Sequence, residues 1–244
     1  MFIIIMLRWT LRAHTQLRDA RPKRMQIMIS DILSAEDVET VCGALKHTRF
    51  VDGRTTAGFA AGLVKNNRQA AGGDRKLETI RKLIASRILG SELFQIAVRP
   101  KMLSPLLFSR YEKAMHYGSH VDDALMNGMR TDVSFTLFLS EPQTYDGGEL
   151  VIESPAGEDA VKLGPGSLVA YPSTALHRVN DVTRGARLAA VGWARSFIRD
   201  PAKREILFDL DTARREIFGQ SGKSATFDLI SKSLANLTRM WAED

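Results

Sequence analysis

Val133-Ser-Phe-Thr-Leu-Phe-Leu139, Glu149-Leu-Val-Ile-Glu153, Ser167-Leu-Val-Ala-Tyr171, Leu176–Val179 and Arg187–Phe197 are short runs rich in β-branched and aromatic residues. Their apolar character either alternates with a period of two or is continuous, and turn residues separate them. That pattern marks half-buried and fully buried strands. Moving outward, Leu93–Val98 and Leu106–Met115 read as two further strands, while Asp146-Gly147-Gly148 and Gly164-Pro165-Gly166 are strong turn signals. Roughly seven or eight short strands in about 100 residues predict a sandwich, jelly roll or barrel. We take residues 93–198 as this β-core.

The flanks change period. Gln26–Ile29 reads as a short strand, and Ser34-Ala-Glu-Asp37 resembles a capping box opening a helix with Val38, Val41, Cys42 and Leu45 on one stripe. Residues 50–73, rich in Gly, Thr, Asn and Ala, read as irregular or edge structure. Leu77, Ile80, Ile84 and Ile88 then mark a second amphipathic helix. Residues 25–92 are therefore a helical and edge-strand support. After the core, Asp200-Pro201 opens a helix to about Phe218. The last helix carries Phe227, Ile230, Leu234, Leu237 and Trp241 at 3-4-3-4 spacing, a stripe that packs on the same chain or forms a homo-oligomer seam. Residues 199–244 form this C-terminal helical region.

Composition bounds the function. The chain has 244 residues, 44% hydrophobic and 25% charged, which suits a globular protein with a real core. Cys42 is the single cysteine, so an intrachain disulfide framework is excluded and a reducing, cytoplasmic setting is expected. Of the net charge of +6, residues 1–24 hold +5: six basic side chains against Asp19. The remainder is near neutral, which argues against a nucleic-acid groove. Phe2–Leu7 is too short to span a membrane and lacks a signal-peptide layout. We read residues 1–24 as a basic extension outside the fold, so a chain starting at Met25 is expected to fold.

Within the β-region lies Tyr117-Gly-Ser-His120-Val-Asp122, and later Leu176-His177-Arg178. On a strand, i and i+2 share a face, so His120 and Asp122 converge. A histidine from a facing strand would complete two imidazoles and a carboxylate on one face of a metal, the facial arrangement of non-haem Fe(II) oxygenases. Alone, H-x-D is a weak signal. It gains weight from Arg187, ten residues after His177, a guanidinium able to fork onto a carboxylate.

These residues sit among longer blocks: Phe50–Gly58, Val64-Lys-Asn-Asn67, Arg110-Tyr-Glu112, Arg130–Ser140, Tyr145–Glu153, Val182-Thr-Arg-Gly185 and Leu207–Asp211. From about Met25 to the C-terminus the chain resembles the bacterial PKHD-type hydroxylases, relatives of prolyl 4-hydroxylase. The resemblance implies an α+β fold with a double-stranded β-helix (jelly-roll) core. It implies iron on His120, Asp122 and His177, 2-oxoglutarate on Arg187, and ascorbate as the helper that restores Fe(II). One departure is Ala189-Ala-Val-Gly-Trp193, where the family usually has bulky aromatics, so the co-substrate pocket is expected to be repacked.

Tyr111 and Tyr117 either pack or bond the co-substrate or substrate. His116 shares the ligand face by alternation or simply ends a strand, and Asp123 should point away. Gly147-Gly148 reads as a hairpin turn, and Cys42 as inert core. The expected activity is an Fe(II)- and 2-oxoglutarate-dependent dioxygenase hydroxylating a protein residue or small molecule, with release of succinate and CO2. A non-catalytic iron- or oxoglutarate-sensing module, a nucleic-acid demethylase and a zinc hydrolase are the rivals. Retention of all three ligands and Arg187, the near-neutral body, and the lack of a job for Arg187 on zinc argue against them in turn.

Overall fold

Alternation along the central strands separates two apolar faces, and each face finds its own partner in a computed structural model that describes residues 26–72 and 75–244. The reading of residues 1–24 falls outside the described residues. The larger sheet runs β1 (Ile27–Ile29), β14 (Leu168–Pro172), β10 (Val133–Phe138), β16 (Arg187–Ser196), β6 (Leu107–Tyr111), β4 (Arg68–Ala70) and β2 (Phe50–Asp52), with β5 (Pro100–Leu103) also on β16. The smaller runs β13 (Gly157–Val161), β12 (Leu150–Ser154), β15 (His177–Arg184), β7 (Met115–His120) and β3 (Lys65–Asn66), with β11 (Asp146–Gly147) also along β15. β8 (Leu125–Met126) and β9 (Met129–Arg130) form a separate ribbon. The antiparallel double sheet with helices around it is the expected jelly-roll architecture.

β10 shows how the sequence builds the layers. Every residue of it is buried. Val133, Phe135 and Leu137 pack outward with the helices, while Phe138 joins Leu150, Ile152 and Val179 between the sheets. The outer layer comes from α1 (Ala35–Lys46), α3 (Arg75–Gly90) and α4 (Glu92–Val98), which bring Val41, Leu45, Leu77, Ile84, Ile88 and Phe94. The capping box at α1 forms as the sequence predicts: the Asp37 N–H donates to Ser34 Oγ at 3.1 Å and the Ser34 N–H to Asp37 Oδ2 at 3.2 Å.

Three expectations are corrected. Leu93–Val98 is helix α4, not a strand. Ser91 caps it by accepting from the Phe94 N–H at 3.3 Å, and its buried Phe94, Ala97 and Val98 sit at helical spacing. Leu106–Met115 is not one strand. Ala114 takes a left-handed φ of 66° and turns the chain from β6 in one sheet to β7 in the other. Gly147-Gly148 is a kink rather than a hairpin turn, because β11 and β12 both lie along β15. Both glycines have positive φ, and a Cβ on Gly147 would stand 2.0 Å from the Asp181 carbonyl oxygen.

At the C-terminus, α5 (Pro201–Ser221) and α6 (Ala225–Trp241) form a small core of their own. Leu234 of the α6 stripe packs with Ile198 and Leu207, and Leu237 and Trp241 pack against this group, so the stripe meets its own chain. α2 (Phe59–Leu63) is short and exposes Phe59 and Leu63. Among the described residues no helix is long and apolar enough to cross a membrane. The layering predicts a sharp contrast in mutational cost. Leu137→Ala, at 0% exposure, should lower unfolding free energy by about 2–5 kcal/mol. Leu229→Ala, at 61% exposure, should change it by no more than about 0.5 kcal/mol; urea melts of the two variants check both.

Candidate metal centre

Antiparallel pairing of β7 with β15 sets His120 directly opposite His177, with ring centroids 4.2 Å apart. Asp122 follows the end of β7. One donor atom from each of His120, Asp122 and His177 lies within 4.8 Å of the others. The imidazoles are oriented by their own chain: His120 Nδ1 bonds the Gly118 carbonyl at 2.8 Å and His177 Nδ1 the Ala175 carbonyl at 3.1 Å. A neutral ring whose Nδ1–H donates to a carbonyl leaves the Nε2 lone pair free for a metal. Burial, reinforced by the neighbouring His177, pushes the His120 pKa down and keeps that ring neutral.

The opposite sheet fixes the carboxylate. The Ser134 hydroxyl on β10 donates to Asp122 Oδ2 at 2.5 Å, and the Ser173 hydroxyl lies 2.8 Å from the Ser134 oxygen. Tyr117 stacks on His120, with centroids 3.6 Å apart and planes 16° from parallel. Tyr171 meets His177 edge-on at 5.1 Å. Two imidazole nitrogens and one braced carboxylate suit a divalent first-row metal with open positions.

Arg187 enters from β16 and shares this cavity, which measures about 770 Å³ counted to its open mouth. The side chain is 1% exposed, and its Nε has no hydrogen-bond partner. Its guanidinium carbon lies 5.2 Å from the Tyr111 ring centre and 5.3 Å from that of Phe138. Among the described residues no carboxylate pairs with it. Tyr145 is its polar neighbour, but a buried guanidinium without a carboxylate is costly, and an anion in this cavity would relieve that cost. Gly148 makes room for it, since a Cβ would meet Arg187 Cδ at 3.1 Å. Burial raises the Tyr111 and Tyr145 phenol pKa values, and the Arg187 charge pulls both back. Ala189 is fully buried and Val191 lines the cavity, as alternation predicts. Gly192 leaves the room that the Phe135 ring occupies.

His120, Asp122, His177, Arg187, Tyr111 and Tyr117 thus line one cavity. His116 does not line it; its Nδ1 lies 3.0 Å from Asp181 Oδ1. Asp123 stands exposed at the rim. Cys42 donates to the Leu139 carbonyl, and burial raises its thiol pKa, as an inert position would require. Sequence reasoning missed a second wall. Lys65, Asn67 and Gln69 are buried while Asn66 and Arg68 between them are exposed, so three polar side chains point into the cavity from the segment read as edge structure. A strict buried-exposed alternation with polar residues on the inward side was the available signal.

Residues 106–195 match the model of the 2OG-Fe(II) oxygenase superfamily. A PKHD-type hydroxylase of Picosynechococcus sp. strain PCC 7002 is 53% identical over 219 residues, covering 90% of this chain and 100% of the relative. The chain belongs to the PKHD-type hydroxylases. A second PKHD-type hydroxylase, from Crocosphaera subtropica, is 51% identical over 222 residues, again 90% of this chain and 100% of the relative. The fold of this PKHD-type hydroxylase is also that of a Pseudomonas putida prolyl-4-hydroxylase crystal structure (TM-score 0.51, 21% identity, 70% of this chain and 92% of that one). It is an Fe(II)- and 2-oxoglutarate-dependent dioxygenase. The Ser134 brace gives a measurable consequence. Ser134→Ala should free the Asp122 carboxylate and weaken divalent-metal affinity about 10- to 100-fold, read by calorimetric titration with Mn(II).

Proposed function

We propose that His120, Asp122 and His177 hold the iron of this hydroxylase and that Arg187 holds the far carboxylate of 2-oxoglutarate. The observation that carries this reading is the meeting, in one cavity, of two free imidazole nitrogens, a braced carboxylate and a buried arginine that lacks a counter-ion. When bound, iron and 2-oxoglutarate supply the oxidation: dioxygen is consumed, the co-substrate leaves as succinate and CO2, and a C–H bond of the primary substrate becomes C–OH.

The chain's own residues bind, orient and shield. Gly118 and Ala175 carbonyls fix the two rings so that Nε2 faces the cavity. Ser134 holds Asp122 in one rotamer. Arg187 sits on the opposite sheet, where it would hold the far carboxylate of a dianionic 2-oxo acid. Tyr111 and Phe138 flank the guanidinium and keep water from its carboxylate partner. Tyr117 backs the His120 ring. Ascorbate as the reductant that restores Fe(II), a cytoplasmic setting, and a protein residue or small molecule as primary substrate complete the reading, and they rest on the family resemblance and the single, free Cys42.

Two variants test it. Asp122→Ala should abolish most succinate formation, because two imidazoles leave the metal underligated. Arg187→Ala should leave metal binding nearly intact while raising the apparent KM for 2-oxoglutarate. Losing a buried charge-assisted pair costs on the order of 2–5 kcal/mol, roughly 30- to several-thousand-fold. Arg187→Lys should recover part of the loss, since an ammonium lacks the planar fork. A 2-oxo acid without the distal carboxylate should bind the wild type poorly and lose little more in Arg187→Ala. Losses that simply multiply would show that Arg187 does not touch that carboxylate.

A further inference from the structure

The segment Lys65-Asn-Asn-Arg-Gln69 closes one side of the sandwich. Lys65 and Asn66 pair with β7 in the smaller sheet, and Arg68–Ala70 continue into the larger one beside β6. Lys65 lies opposite Tyr117, and its ammonium stands 4.9 Å from the centre of that ring. The side chain is only 6% exposed. Its Nζ donates to Thr56 Oγ1 at 3.1 Å, and among the described residues no carboxylate is in ion-pair range of it. The carboxylates that feel its charge are Asp122 across the cavity and, less, Asp52, which is exposed and held by the Arg54 fork. An ammonium carries three donors, so this one faces the cavity with donors to spare.

Asn67 stands on the same inward face. It is 4% exposed, and its amide interacts with the Tyr111 hydroxyl but makes no other hydrogen bond. Gly53 makes the space for its amide, since a Cβ there would lie 1.8 Å from Oδ1. A buried amide and a buried ammonium, both short of partners and both lining the cavity, form a polar corner that the metal and Arg187 do not use. Packing alone gives no reason to keep it, because an apolar side chain would fill the space at lower cost.

Charge indicates what belongs there. On the proposed function, which this inference extends, the dication and the dianionic co-substrate cancel, and among the described residues Asp122 is the one buried carboxylate against both Arg187 and Lys65. One positive charge remains. Asp123 stands at the rim, where water screens it. Toward the mouth the wall is apolar at Ala57, Ala61, Val121 and Met126, so the corner is the polar anchor deeper in. We propose that Lys65 and Asn67 form a second anion site that takes a carboxylate of the primary substrate, so that the molecule hydroxylated is itself an anion.

The test uses the full chain and its Lys65→Met, Lys65→Arg and Arg187→Ala variants, with Mn(II) in place of iron and saturating 2-oxoglutarate. Acetate is the probe and acetamide its neutral counterpart, each read by saturation-transfer NMR. The wild type should favour acetate over acetamide at least about fivefold. Lys65→Met should abolish the preference, and Lys65→Arg should restore most of it. Calorimetric 2-oxoglutarate affinity should stay within about threefold of wild type in Lys65→Met but fall at least about 30-fold in Arg187→Ala. Lys65→Met should melt no lower than wild type, because a buried ammonium is removed. A tenfold loss of 2-oxoglutarate affinity in Lys65→Met would assign Lys65 to the co-substrate and overturn the proposal. So would an acetate preference that survives the substitution or is missing from the wild type, or a lower melting temperature, which would make Lys65 a structural strut. Failure of the iron and co-substrate reading has a separate signature: 2-oxoglutarate affinity indifferent to Arg187→Ala, whatever acetate does.

Discussion

The site hangs on the register between β7 and β15, which sets His120 opposite His177 in one antiparallel pair. Side chains alternate faces along a strand, so a slip of one residue would turn an imidazole to the other side of the sheet and leave Asp122 behind. The pair is not free to slip. β15 is held on its other side by β12, where Ile152 lies opposite His177, and Val179 and Val182 anchor its inward face in the core between the sheets. The Gly118 and Ala175 carbonyls then fix each ring within its strand. Backbone pairing, core packing and ring orientation therefore point to the same arrangement.

The second sheet completes the cavity. Ser134 and Arg187 come from β10 and β16, neighbours in that sheet, and reach the carboxylate and the far end of the space respectively. Both strands carry their apolar load on the face that meets α1, α3 and α4, which frees the inner face for polar work. The cavity between the sheets holds Arg187 from this sheet and Lys65 from the smaller one, neither in an ion pair, an arrangement that costs stability in the empty fold and that bound anions would relieve. The helical layer supplies the apolar burial that offsets it.

Much of this was legible in the sequence. His120, His177 and Arg187 converge because alternation places each on the inward face of its strand, with Asp122 just past the end of β7, and the family blocks around them extend nearly the whole chain. The capping box at Ser34 and the stripes of α1, α3 and α6 followed from spacing alone. Leu93–Val98 misled because a short apolar run has no period of its own, and its helical cue was only Ser91 as a cap. The break between Tyr111 and Met115 was hidden because an alanine, not a glycine, takes the left-handed turn. Lys65, Asn67 and Gln69 were missed for a deeper reason. Their inward face is polar, the inverse of the pattern that normally reveals a buried strand. The partner that makes Arg187 meaningful is set by which strands neighbour which, and no local pattern states that.

The central claim is that one cavity holds metal and co-substrate together through these residues. Anaerobic titration of Fe(II) into the full chain with 2-oxoglutarate, followed by visible absorbance, tests it most directly. The account predicts a weak charge-transfer band that needs both components, saturates at about one Fe(II) per chain, and disappears in Asp122→Ala. A band that never forms, or one that persists undiminished in Asp122→Ala, would contradict it.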